Sequence, residues 1–89
     1  MALPFEAGGF GTQDELFEAL TLIQTGKANM IPVVMIAGEG STYWTNWEKH
    51  IVTDLLGNNT ISPEDQSLYH VASSPEDGVA HILQFYKNY

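Results

Sequence analysis

The run Pro32-Val-Val-Met-Ile-Ala37 constrains this chain's fold more than any other stretch. It is rich in β-formers, bounded by a proline and by Gly38, and its apolar residues are continuous. A strand with one wet face alternates apolar and polar residues, whereas an unbroken apolar run is covered on both faces. The run therefore predicts an inner strand of a parallel sheet with helices packed against it.

The flanking segments supply the rest of such a sheet. Ala2 to Phe5 reads as the end of a buried strand. From Thr12, the apolar residues Leu16, Phe17, Leu20 and Ile23 fall at helical spacing with Gln24. Thr12 and Glu15 form an S/T-x-x-E capping box at the start, and Gly26 stops the helix. After the small polar loop Gly38 to Thr42, Trp44, Trp47, Ile51, Leu55 and Leu56 mark a second helix, which ends at Gly57-Asn58-Asn59. Ser62-Pro63-Glu64-Asp65 opens a turn or so of helix, and Leu68 to Ala72 follows as a short strand. Ser74-Pro75-Glu76-Asp77 repeats the start signal, and Val79, Ile82, Leu83 and Tyr86 give a last helix running to the C-terminus. Alternating strands and helices call for right-handed crossovers. The expected class is α/β: a Rossmann-like three-layer domain with a partial parallel sheet of about three strands and flanking helices. No repeat or linker divides residues 1–89, which read as one partial domain whose missing portion is N-terminal.

Charge and composition exclude several functions. Three lysines and no arginine face eleven acids, a formal charge of −8. Such a chain repels the polyanionic backbone whose neutralisation drives nucleic-acid binding, so nucleic acid is not an expected partner. Any phosphate held here must depend on backbone N–H groups and a helix dipole. Without cysteine there is no disulfide, thiolate nucleophile or cysteine-bound zinc, which fits a reducing cytoplasm. The longest apolar run, Met30 to Ala37, is far short of a membrane span, and no signal-like N-terminus precedes it. A soluble, unprocessed protein with no membrane partner is expected.

Chemistry concentrates in Gly8-Gly9-Phe10-Gly11-Thr12. Glycines there relieve the Cβ clashes that would stop successive N–H groups converging on an anion just ahead of a helix. An unliganded strand-to-helix turn is the competing reading. Glu15 likewise has two: its carboxylate can return to the Thr12 N–H as a cap, or it can face a ligand's sugar and stabilise an oxocarbenium ion. Asp14 reads as a solvated first-turn acid. His50, His70 and His81 sit on different elements without metal-ligand spacing and read as structural or exposed. Ser41, Ser62 and Ser74 lack a nucleophile elbow, and the last two read as helix caps. Tyr43, Trp44 and Trp47 read as core or interface packing.

The segment Ala7-Gly8-Gly9-Phe10-Gly11-Thr12-Gln13-Asp14-Glu15 resembles the PGGxGTxxE signature of the LONELY GUY (LOG) family, long labelled lysine decarboxylases. The helix Leu16 to Lys27, the strand Ile31-Pro-Val-Val, Tyr43-Trp44 and the closing Phe85-Tyr-Lys-Asn-Tyr89 are similar to its longer bacterial members. The resemblance implies a Rossmann-like phosphoribohydrolase, which splits the N-glycosidic bond of nucleoside 5'-monophosphates such as AMP to give free base and ribose 5-phosphate. It assigns the 5'-phosphate to Gly8, Gly9, Gly11 and Thr12 and the ribose chemistry to Glu15, with no metal or organic cofactor. It also implies a homodimer, in which Leu16, Leu20 and Ile23 of the motif helix are candidate interface residues. Two departures stand out: Ala7 replaces proline, and the family's N-terminal half, with a site arginine, has no counterpart. The expectation is thus a C-terminal half of a LOG-like domain, inactive by itself. The alternative is a non-catalytic nucleotide-binding or oligomerising module.

Overall fold

The computed structural model describes residues 2–88, so Met1 and Tyr89 lie outside the described residues, including the final residue of the motif quoted above. The expected class is found. Strand β1 (Leu3–Glu6) leads to helix α1 (Phe10–Gln24), β2 (Val33–Ile36), α2 (Tyr43–His50), a π-helical turn (Ile51–Leu56), a 3-10 turn (Pro63–Leu68), β3 (His70–Val71) and α3 (Pro75–Lys87). The three strands form one parallel sheet in the order β1-β2-β3. The Pro32–Ala37 run supplies β2, the inner strand, paired through Leu3↔Val33 to Glu6↔Ile36 on one side and Val34↔His70 and Met35↔Val71 on the other.

Sheet direction then sorts the helices. Two right-handed crossovers that step the same way across a sheet lie on the same face. Helices α1 and α2 accordingly pack on the Val33 and Met35 side, where Leu16, Ile23, Trp44, Trp47, Ile51 and Tyr69 complete the buried core. Helix α3 takes the opposite side. Its Gly78 sits so close to the sheet that an added Cβ would lie 3.3 Å from Val34 and 3.4 Å from Ile36. This single helix contacts β2 and β3, and Pro4 and Glu6 of β1 stay exposed.

Trp44 is the main tie between layers. It is 2% exposed, meets Tyr43 and Trp47 edge-on, and its indole Nε1–H donates to the Ile36 carbonyl at the end of β2 (3.1 Å). Loss of such a side chain costs about 3–5 kcal/mol. Burial first, and then the charge of Glu48, pushes the Tyr69 hydroxyl up to about 12, so it stays protonated; no hydrogen bond of standard geometry joins the two groups.

Several local expectations are corrected. Helix α1 starts at Phe10 with Gly9 as N-cap, so the glycine segment itself forms the first turn. Thr12 is inside the helix, and no Thr12–Glu15 capping box exists. The helix closes at Gln24, and Gly26 follows with φ 75°, a left-handed conformation that suits glycine. The reciprocal contact expected of a capping box occurs instead at the 3-10 turn, where the Ser62 N–H donates to the Asp65 carboxylate (2.9 Å). Strand β3 is only two residues long, because Leu68 completes the 3-10 turn. The second helix passes into π geometry at Ile51, which places Ile51 in the core while Val52 and Thr53 stay exposed.

Histidines expected to stand apart also meet. His70 of β3 and His81 of α3 stack with centroids 4.2 Å apart, and His70 Nε2 lies 2.9 Å from the Asp77 carboxylate. Burial, followed by the neighbouring His70, holds His81 below the ordinary histidine value. The Ser73 N–H bond to Asp77, followed by the His70 contact, holds Asp77 below the ordinary carboxylate value. Both groups bind fewer protons folded than unfolded, so stability falls on acidification. The His81 contribution is complete above about pH 6.5 and is lost as pH falls from there through its lowered folded value; the Asp77 contribution is lost below about pH 4. His81→Gln should therefore flatten the decline of the thermal midpoint between about pH 7 and 5. A variant that declines as steeply as wild type over that range would show that His81 does not contribute in this way.

Candidate functional site

All three strands point the same way, so their three C-terminal ends open on one rim. The loops after them lead into the N-termini of α1, α2 and α3. In open α/β sheets this rim is where ligands bind. Two depressions lie there. A cleft of about 450 Å³ runs between the loop Gly38–Ser41 and the segment Ser73–Glu76, floored by Trp44. A shallower one is lined by Glu6, Ala7, Ile36, Ala37, Gly38 and Pro75. Within the Ser73–Glu76 wall the sequence marks Ser74-Pro75-Glu76 as a helix start and carries no local sign of a cleft.

The glycine motif borders the shallower depression through Ala7 and then turns into α1. Gly8, Gly9 and Gly11 are exposed, and Thr12 is half-buried. Gly8 is required by close approach: a Cβ there would run into the Thr12 side chain, with Thr12 Cβ 3.0 Å away and the hydroxyl nearer still. Helical bonding begins with the Gln13 N–H donating to the Gly9 carbonyl (3.2 Å), which leaves the earlier N–H groups of the turn outside the ladder. Phe10, between the glycines, is 96% exposed.

The three helix N-termini differ in how they are satisfied. At α3, the Ser74 hydroxyl accepts from the Asp77 N–H (3.0 Å), and Glu76 and Asp77 place acids in the first turn. At α2, the Ser41 hydroxyl accepts from the Tyr43 N–H (3.2 Å). At α1, the first turn has no acid and the N-cap is a glycine without a side chain. Helix α2 also lacks a first-turn acid, but Ser41 bonds one of its N–H groups, so α1 is the end with neither an acid nor a side-chain hydroxyl bonded there.

Glu15 lies further along α1. It is exposed and four residues beyond Gly11, so the two share a helix face. Asp14 is also exposed. Glu15 is thus on the same helix as the glycine turn but outside the lining of both rim depressions. The lysines are elsewhere: Lys27 follows α1, Lys49 is exposed late in α2, and Lys87 ends α3.

Two of the three expected interface residues of α1 are corrected: Leu16 is 0% and Ile23 8% exposed, so both are used within the core, whereas Leu20 is half-buried at its edge. Of the apolar residues on α1, Phe10, Phe17 and Leu22 face outward instead. Tyr43, read as packing, does more than pack. Its hydroxyl donates to the Gly8 carbonyl (2.7 Å) and accepts from the Gln13 amide (2.8 Å). Spacing along the chain held no sign of a contact across 35 residues. No helix among the described residues is long and apolar enough to cross a membrane.

The Gly8–Thr12 contact gives a direct test. Gly8→Ala should lower the urea unfolding midpoint by the equivalent of about 1–3 kcal/mol, the usual scale of overpacking. Thr12→Ala in the same chain should recover most of that loss, and failure to recover it would show that the contact is not what requires glycine.

Comparison with known proteins places these observations. No curated protein matches the chain. A family model described as "possible lysine decarboxylase" matches residues 2–82. That span overturns the expectation of a C-terminal half alone, and with it the claim that the chain lacks the N-terminal half of the site and is inactive for that reason. With a match over nearly its whole length, the chain belongs to the LOG/lysine-decarboxylase-like family.

Proposed function

We propose that this protein is a nucleoside 5'-monophosphate phosphoribohydrolase, holding the 5'-phosphate on Gly8, Gly9, Gly11 and Thr12 and using Glu15 at the ribose. The observation that carries this reading is the α1 N-terminus. It is uncapped by any side chain, carries no first-turn acid, and is reached through glycines on the ligand-binding rim of the sheet. Family membership supports the same chemistry. A carboxylate-dependent lyase acting on amino acids has no lysine or cofactor motif in this chain to support it.

The electrostatics set how a phosphate is held. A phosphate dianion approaches a chain of charge −8 with no arginine. A helix end offers about 0.3–1 kcal/mol to such an anion, whereas each hydrogen bond to a charged group contributes about 1.5–3 kcal/mol. Binding therefore rests on several converging N–H groups more than on the dipole. In hydrolysis the bond from ribose C1' to the base nitrogen breaks, and a new bond forms from C1' to water oxygen. Glu15 stabilises the oxocarbenium character at C1' and accepts a proton from the attacking water, while the departing base takes up a proton from solvent.

Incubation of the protein with AMP should release adenine, detected by chromatography. Glu15→Gln should lower kcat by about 10²–10³-fold while shifting AMP affinity little, the pattern of a group that acts in the transition state. Absence of adenine release by the wild-type protein would overturn the reading.

A further inference from the structure

The glycine turn is not held by its own residues alone. Tyr43, the first residue of α2, reaches across to β1–α1 and donates from its hydroxyl to the Gly8 carbonyl at 2.7 Å. Gln13, on the first turns of α1, donates from Nε2 to the same hydroxyl at 2.8 Å. The chemistry of the partners fixes the direction of this relay. A carbonyl only accepts and an amide nitrogen only donates, so the Tyr43 proton must point at Gly8.

Tyr43 is itself well anchored. Its backbone N–H donates to the Ser41 hydroxyl at 3.2 Å. Its ring meets Trp44 edge-on at 4.6 Å, and Trp44 is bonded to the Ile36 carbonyl of β2. The hydroxyl is therefore a fixed point, referred to the central strand, from which the Gly8 carbonyl is held.

Because the peptide is planar and trans, fixing the Gly8 carbonyl also fixes the Gly9 N–H on the opposite side of the same plane. A hydrogen bond to the carbonyl also polarises that peptide and makes its N–H a better donor. Glycine on both sides of the bond leaves this plane otherwise free to rotate.

We propose that Tyr43, oriented by Gln13, is a positioning residue for the anion-binding turn: it sets the Gly8–Gly9 peptide so that the Gly9 N–H and the first-turn N–H groups of α1 converge on the phosphate. This inference rests on the phosphate assignment above. It makes a specific demand: Tyr43 acts on the phosphate part of a ligand and not on the nucleoside part.

The test is equilibrium binding of AMP and of adenosine to the full chain by calorimetry. Wild type should prefer AMP. Tyr43→Phe keeps the ring contact with Trp44 and removes only the hydroxyl, so it should weaken AMP about 3- to 10-fold, the range of one lost hydrogen bond, and leave adenosine unchanged. Gln13→Leu should weaken AMP in the same direction, and the double variant should be no weaker than Tyr43→Phe alone, because both changes act through one hydroxyl. A general loss of folding would weaken both ligands together and appear in the thermal midpoint, and that result overturns the positioning role. An unchanged AMP-to-adenosine ratio in Tyr43→Phe, with wild type still preferring AMP, overturns it while leaving the phosphate assignment intact. No preference for AMP in wild type overturns the phosphate assignment and this inference with it.

Discussion

Every layer of this domain is built on β2. It is the one strand hydrogen-bonded along both edges, and its Val33, Val34 and Met35 are buried on both faces. A backbone removed from water must pair all its N–H and C=O groups, and a parallel partner on each side is how β2 does so. The same strand sorts the helices, with Val33 and Met35 toward α1 and α2, and Val34 and Ile36 beneath α3. The Ile36 carbonyl then receives the Trp44 indole, so the strand also fixes where α2 begins.

From that start the candidate site follows. Parallel strands bring three helix N-termini to one rim, but the sequence at each end treats its dipole differently. Acids and Ser74 satisfy α3, whereas α1 begins at a glycine with nothing to neutralise it. In a chain with eleven acids and no arginine, the first turn of α1 carries none of those acids, and Glu6 lines the depression beside it. Thr12 also sets the packing of the turn, since its side chain occupies the space a Cβ at position 8 would need.

The site is also coupled to the core. Gly8 is tied to Tyr43, Tyr43 packs on Trp44, and Trp44 is bonded to β2. A turn rich in glycine would otherwise be among the more mobile parts of a small domain. Here it takes its geometry from the most buried part of the molecule. The stack of His70 on His81 ties α3 to the edge strand on the opposite face.

What the sequence by itself determined is whatever depends on neighbours in the chain. The unbroken apolar run named the inner strand, helical spacing named the three helices, and the glycine motif with its family resemblance named the turn. These features are local, set by periodicity, capping chemistry and backbone sterics. Only the tertiary structure decided that α1 begins at Phe10, because the glycines join its first turn once Thr12 packs over Gly8. It also decided that Leu16 and Ile23 turn into the core instead of a partner, since the face a helical stripe meets depends on the sheet beneath it. Tyr43 on Gly8 and His70 on His81 were equally illegible, because contacts between side chains on separate elements are set by crossover handedness and strand register, which no spacing along the chain encodes.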